Sequence, residues 1–361
     1  MASRPLADPP ARQARRGHGR VTLQQVADAA GVTAITVSRY LREPARVAAE
    51  TGERIQAALS RTGYVPNKQA GLLASGVGNI VAALLPNLAN SIFAETAQGL
   101  SDGLQAAGYE LLIASTGYSL EREEEQLRAL LGWHPAAVVV TGRRHAPGAQ
   151  RLLAAAQQAG TPVVEIWDRQ AREDGPSRGR PAFAQIGFNH DDVGRAMAGH
   201  LLGAGHRRLA YVDSAVAEDY RAHERGQAFC RAAQAAGASA RVVVAPSGDA
   251  FDAGRQALDD LLRDGDAAVG AAAFANDNLA AGALLEAARR GVAVPGRLAV
   301  LGFGDFAIAR QLTPPLSSVQ LPRLDIGRVT AQALLAALRD GAAPQAVSLP
   351  WALVARGSTA A

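Results

Sequence analysis

From Val21 to Gly63 the apolar positions recur at helical spacing in three short blocks. In the first block Leu23, Val26, Ala27 and Ala30 share one face. Thr22 and Gln25 stand at capping-box spacing, and Gly31 is placed to stop the helix in a left-handed conformation. In the second, Thr33 is placed to cap a helix running through Leu41, with Val37, Tyr40 and Leu41 turned inward. The third spans Ala49 to Arg61 and ends at Thr62-Gly63; Pro66 forbids its continuation. From Asn79 onward strand-like and helix-like segments alternate. Strand-like runs are Ile80–Leu85, Glu110–Ala114, Ala136–Thr141, Pro162–Ile166, Phe183–Phe188, Leu209–Val212, Arg241–Val244, Ala268–Phe274, Leu298–Gly302 and Ser317–Gln320. Between most of them lie Ala- and Leu-rich segments of helical period. That alternation predicts parallel sheets covered by helices on both faces. So many strands crowd one open sheet, so two similar α/β subdomains facing each other across a cleft are expected. The charged, Gly/Pro-rich stretch Arg169–Pro181 interrupts the middle of this region and is longer than most connections.

Charge divides the chain in the same place. Residues 1–76 carry eleven basic residues against five acidic ones, a net of +6, whereas the whole 361-residue chain has a net of only +4. The body is therefore at −2. A basic head on a near-neutral body is the electrostatic footprint of a nucleic-acid reader. Residues 1–20, with three prolines and five arginines, read as a basic arm without fixed structure.

Other chemistry is scarce. Cys230 is the only cysteine, which excludes a disulfide framework and a thiolate metal site. No run of 18 apolar residues suggests a membrane span, and the N-terminus lacks the apolar core of a signal peptide. A cytoplasmic protein is expected. His190, His200 and His206 lack metal-ligand spacing, and no nucleophile–base set, Walker loop or GxSxG motif is present. Neither an enzyme nor a cofactor is expected.

The helices on either side of Gly31 have the arrangement of a helix-turn-helix, whose second helix enters the major groove. Its early positions, Thr33, Ala34, Ile35, Ser38 and Arg39, are the candidates for contact with DNA. Ala34 and Ile35 offer only apolar contact, for example to thymine methyls. Arg39 can give guanine two parallel hydrogen bonds. Thr22, Thr33 and Ser38 suit phosphates, which fix position without specifying sequence. The stretches VTLQQVADAAGVTAITVSRYL and TGYVPNKQAGLLASG closely resemble the LacI/GalR family of bacterial repressors. That resemblance implies a hinge over residues 67–78, helical only on operator DNA, with Asn67, Ala70 and Leu73 at the duplex. Leu73 would enter the minor groove beside its counterpart from a second subunit, kinking the DNA. One departure is Ala48, where the family often carries a Ser or Thr to cap the third helix.

The resemblance also implies a body with the periplasmic sugar-binding fold. Its domain would run over residues 79–361, divided into 79–180 plus 323–341 and 182–320 plus 345–361. Ligands in that fold lie between subdomains, at the carboxyl ends of strands. The candidates there are Phe93, Tyr118, Thr141, Arg143, Asp168, His223, Asn276 and Asp305. Asn276 stands in FAND and Asp305 in GFGD, both family signatures. Paired acceptors and donors such as Asp168 and Asn276 can bracket vicinal hydroxyls, although Asp277 or Asp191 could simply cap the helix that follows. HERG places His223 where many sugar-binding members have Arg, and GFGD places Gly304 where a first Asp often stands. Fewer carboxylates and more cations suggest an anionic ligand. LLPNLANSIFAE, STGYSLEREEEQL, GTPVVEIWD and GFGDF are most similar to the gluconate repressors, which implies gluconate, 6-phosphogluconate or a related sugar acid. Arg143, Arg144, His145, Arg221, His223 or Arg225 could supply the cation.

These readings lead to a homodimeric repressor that binds double-stranded operator DNA under control of a small molecule. The segments Ser91–Ala107 and Leu120–Trp133 are candidates for its dimer face. Two alternatives remain at this point: a global carbon regulator that needs a protein co-effector, and a sugar-binding protein without a regulatory role.

Overall fold

The structure, a computed structural model, describes residues 21–65, 78–88, 91–170, 182–263 and 268–360. The 1–20 arm and the hinge positions Asn67, Ala70 and Leu73 lie outside the described residues. Two compact units are present, Met1–Gly76 and Val77–Ala361.

In the first unit, α1 (Leu23–Ala30), α2 (Ala34–Arg42) and α3 (Ala49–Thr62) surround a small core of Val26, Ala27, Ala30, Val37, Ile55 and Ala58. The Thr22–Gln25 capping box forms in both directions, and Gly31 adopts φ 64° at the end of α1. No basic side chain of α1 covers its last carbonyls. Arginines of α3 do so instead: Arg54 donates to Ala30 and Gly31 oxygens at 2.5 and 3.0 Å, and Arg61 to the Ala29 oxygen at 2.8 Å. These bonds satisfy orphan carbonyls and tie α3 across the turn between α1 and α2. Ala48 precedes α3 without a side-chain cap.

The second unit holds two six-stranded sheets. The strands are β1 (Ile80–Leu85), β2 (Glu110–Ser115), β3 (Ala137–Thr141), β4 (Val163–Ile166), β5 (Ala184–Gly187), β6 (Arg208–Asp213), β7 (Ser239–Val244), β8 (Ala271–Phe274), β9 (Ala299–Gly304), β10 (Ser317–Gln320), β11 (Val347–Ser348) and β12 (Ala352–Val354). Their order is β11-β5-β4-β3-β1-β2 in the first sheet and β12-β10-β9-β8-β6-β7 in the second. All pairings are parallel except β10 with β12. The helices are α4 (Ser91–Gln105), α5 (Leu120–Leu131), α6 (Pro147–Gln158), α7 (His190–Gly203), α8 (Tyr220–Ala235), α9 (Ala250–Leu262), α10 (Asp277–Arg290) and α11 (Arg323–Asp340). Alternate residues of one strand serve opposite faces. Val81, Ala83 and Leu85 of β1 join the larger core, whereas Ala82 and Leu84 pack with Leu127 of α5 and Leu153 of α6.

The expected division of the body needs one correction. The pattern of the sequence sets the 169–181 stretch at the boundary between subdomains, with residues 182–320 and 345–361 in the second. In the structure β5 pairs with β4 in the first sheet, through Val164↔Ala184 to Ile166↔Ile186, and β11 pairs with β5. The stretch thus joins two neighbouring strands of one sheet, and the crossing comes after Gly187. A break in composition marks a long connection but does not tell which sheet the next strand joins. α11 packs along α4 of the first subdomain. A Cβ added to Gly327 would lie 2.1 Å from the Thr96 carbonyl oxygen, and one on Gly99 2.2 Å from that of Leu324. Glycine at both positions lets the two helix backbones nearly touch.

Candidate functional site

The exposed face of α2 carries Ile35 and Arg39, one turn apart. Ile35 is 71% exposed, an uncovered apolar side chain on a small, polar domain. Thr33 and Thr22 are exposed N-caps, the first accepting from the Thr36 amide and the second from the Gln25 amide. Ser38 is half-buried, and Ala34 is partly turned onto the core of this unit. This arrangement places one apolar contact and one guanidinium on a helix flank. Arg39→Ala is expected to cost about 1–3 kcal/mol at one base pair and to relax sequence preference there. Binding assays against single-base operator variants check this; equal weakening on every sequence would make Arg39 a phosphate contact.

In the body, side chains from both subdomains meet at the ends of β3 and β4. Arg143 follows β3 and Asp168 follows β4. Arg143 Nη1 donates to Asp168 Oδ1 at 3.0 Å, and Nη2 donates to both Glu224 oxygens at 2.7 and 2.9 Å. Tyr220, the first residue of α8, accepts the Arg143 backbone N–H at 2.7 Å and donates to Asp168 Oδ2. The guanidiniums of Arg143, Arg144 and Arg221 lie 5.2, 4.5 and 5.1 Å from the centre of the Tyr220 ring. Gly142, at φ 91°, permits this approach, because a Cβ there would meet Arg221 Nη1 at 2.5 Å and the Tyr220 hydroxyl at 2.6 Å.

Burial dominates the protonation behaviour of this cluster. It raises the Asp168 carboxyl, while Arg221 and Arg143 pull it down. It also raises the Tyr118 and Tyr220 phenols, which stay neutral donors. His190 is pushed well below its usual value by burial and by Arg225, so the ring is neutral. Of the four non-glycine residues with positive φ among the described residues, Tyr118 (65°), Trp167 (72°) and Asp305 (47°) stand just after β2, β4 and β9. Left-handed backbone at non-glycine residues costs roughly 1–3 kcal/mol each and gathers at ligand sites. A polar cavity of about 130 Å³ adjoins the cluster, lined in part by Arg143, Asp168, His190 and Glu224.

Residues 22–67 match the bacterial regulatory proteins of the lacI family, and residues 198–359 match a periplasmic binding protein-like domain. The chain is 38% identical over 351 residues to the HTH-type transcriptional regulator GntR of Pseudomonas aeruginosa, covering 95% of this chain and 97% of that protein. It is 33% identical over 340 residues to GntR of Escherichia coli K12, covering 94% and 98%. The chain belongs to the LacI family. A crystal structure of a LacI-family transcriptional regulator from Silicibacter pomeroyi superposes with a TM-score of 0.85, at 32% identity, over 94% of this chain and 99% of that one. The protein is thus a DNA-binding transcriptional repressor with an effector-binding body, and not an enzyme. Regulators of this family respond to small-molecule effectors rather than cofactors. Among the described residues no group of three or more His, Cys, Asp and Glu is arranged to hold a metal, and no helix is long and apolar enough to cross a membrane.

In this LacI-family body the cleft brings together Arg143 and Asp168 from the candidate set, with the buried Tyr118 phenol beside Arg221. The others have partners elsewhere. Phe93 is buried edge-on against Trp167, with ring centres 5.3 Å apart. Thr141 Oγ1 donates to the Leu84 oxygen at 3.0 Å. His223 is held by Asp213 at the end of β6. Burial lowers its basicity, but the bond and charge of Asp213 outweigh this and raise it. Asn276 caps α10, accepting from the Leu279 amide at 3.0 Å. Asp305 lies 2.7 Å from Arg356 and 3.4 Å from Arg310. Of the suggested cations, Arg225 is tied to the Ala275 oxygen and His190, and His145 lies between Glu123 and Glu165. Tyr220, Glu224 and His190 join the Arg143–Asp168 cluster without standing among the residues expected there from the sequence. One signal was available: Tyr220 and Glu224 fall at i and i+4, so an aromatic hydroxyl and a carboxylate share one helix face.

Proposed function

We propose that the effector is a sugar acid, gluconate or 6-phosphogluconate, bound in the cleft at Arg143 and Asp168 and acting as inducer of a carbohydrate catabolic operon. The observation that carries this reading is the convergence of Arg143, Arg144 and Arg221 on the Tyr220 ring. Guanidiniums match a carboxylate or phosphate with parallel hydrogen bonds, and Asp168 with Tyr118 adds acceptor and donor for hydroxyls. The names of the GntR relatives support the same ligand class. Phe93, Thr141, His223, Asn276 and Asp305, each engaged with a partner elsewhere in the body, are second candidates for effector contact.

The regulator acts in the cytoplasm as a homodimer, each subunit presenting Thr22, Thr33, Ala34, Ile35, Ser38 and Arg39 to one half of a near-palindromic operator. Exposed Leu120 and Trp133, at either end of α5, support a dimer face there. Asn67, Ala70 and Leu73, which lie outside the described residues, are proposed as further contacts with the duplex. An inducer must bind the DNA-free state more tightly, and it weakens operator binding by the ratio of its two affinities. Calorimetric titration with gluconate, 6-phosphogluconate and neutral sugars tests the ligand class. Binding of the acids is expected; binding of neutral sugars alone would overturn the reading.

A further inference from the structure

Glu224 lies on α8 of the second subdomain, one turn after Tyr220. Its carboxylate reaches the first subdomain and closes on two guanidiniums. Arg143 meets both of its oxygens at 2.7 and 2.9 Å, and Arg144 meets Oε1 at 2.6 Å. This is the forked geometry a guanidinium offers any carboxylate. Arg143 directs its other Nη to Asp168 at 3.0 Å, so both of its forks already face a protein carboxylate. An anion arriving at this seat therefore finds it occupied. The Glu224 side chain is 17% exposed and that of Arg144 58%, so solvent and solutes reach the pair.

We propose that Glu224 is the protein's own occupant of the anion seat made by Arg143 and Arg144, that it clasps the two subdomains in the ligand-free state, and that an anionic effector binds by exchanging with it. The identity of the exchanging anion rests on the sugar-acid reading above; the clasp rests on the cross-cleft contacts alone. Exchange replaces one guanidinium–carboxylate pair by another, so the seat stays neutralised. What changes is connectivity: Glu224 is bound to α8, whereas a ligand carboxylate is not. Binding at the first subdomain thus removes the Glu224 tie of α8 and leaves only the Tyr220 bonds to the Arg143 amide and Asp168 at its start. A neutral sugar cannot take the place of the displaced charge. It would leave guanidiniums unpaired in a partly desolvated cleft, which selects for acids.

The test uses the full chain, as wild type, Glu224→Gln and Glu224→Asp. The first variant keeps the shape and removes the charge; the second keeps the charge and shortens the reach. Two readouts are needed, because removing a negative charge would favour any nearby anion. Titration with gluconate and with glucose reads selectivity, and amide hydrogen exchange of the ligand-free proteins reads the clasp. In Glu224→Gln the apparent Kd for gluconate is expected to fall about tenfold, since less of the protein is held in the occupied state. Glucose binding is expected to be unchanged. Exchange at residues 142–146 and in the first turn of α8 is expected to rise in both variants. Weaker gluconate binding in Glu224→Gln would make Glu224 a direct ligand contact and overturn the proposal. Unchanged amide exchange in both variants would overturn it too. If gluconate binds none of the three proteins, the sugar-acid reading fails, and the exchange data alone decide the clasp: faster exchange supports it and unchanged exchange refutes it.

Discussion

Replacing His145 with alanine is expected to destabilise the body by about 3–5 kcal/mol, the usual consequence of removing one partner from a buried ionic group. The His145 side chain is 2% exposed and lies between two carboxylates, with Nδ1 2.6 Å from Glu123 and Nε2 3.3 Å from Glu165. Glu123 comes from α5 and Glu165 from β4, so the ring joins a covering helix to the sheet beneath it. The network continues outward. Gln185 donates to Glu165 at 2.7 Å and accepts the Gln170 amide at 3.0 Å, two residues after Asp168. Burial alone would lower the basicity of His145, but the hydrogen bonds and charges of Glu123 and Glu165 push it up to about 9 from 6.5. The charged ring therefore contributes stability that is fully present below pH 6.5. That contribution is lost as pH rises through 9, and its size is on the order of 3 kcal/mol. Denaturant unfolding of wild type between pH 6 and 10 should show the decline, and the alanine variant should show a flatter profile. A variant as stable as wild type at pH 7 would mean that the two carboxylates are satisfied without the imidazolium.

Removing residues 1–76 is expected to abolish operator binding and to leave sugar-acid affinity within a factor of about two, since that segment forms a separate compact unit. All the residues assigned to DNA lie in it, from Thr22 to Leu73, and so does the net positive charge. The phosphate-directed part of the affinity disappears with them, and with it the salt dependence. Calorimetry on the truncated protein reads the ligand side, and a gel shift reads the DNA side. Loss of ligand binding on truncation would contradict the modular account.

The head was legible because its signals are local. Thr22, Gly31, Thr33 and Gly63 act through hydrogen bonds and dihedrals within a few residues, and each sits where the capping pattern puts it. The central strand runs were legible because parallel strands inside a sheet are buried on both faces, as β1, β3, β4 and β8 are, whereas the edge strands β2 and β7 are partly to largely exposed and were read from their apolar runs alone. β11 and β12, with two and three residues, carry no pattern of their own and form only because β5 and β10 present open edges. The assignment of β5 depends on a pairing partner and not on its own residues. The cleft was half legible for the same reason. Tyr118, Arg143 and Asp168 follow strands, which is where the fold places ligands. Tyr220 and Glu224 arrive from the first turn of a helix in the other subdomain, and only tertiary packing brings them within 3 Å of Arg143. His223 was read as a cleft cation, whereas Asp213, ten residues earlier in the chain, already holds it.

Under the proposed function, an anionic sugar acid seated at Arg143 and Asp168 controls the DNA-reading head. The most direct test of this control is fluorescence anisotropy of the full chain on a labelled fragment of its own upstream DNA, titrated with gluconate, 6-phosphogluconate and glucose, with the chain lacking residues 1–76 as control. At least one of the acids is expected to weaken operator binding, glucose to leave it unchanged, and the control never to bind. Release by glucose alone, or operator affinity indifferent to both acids, would contradict the proposed function.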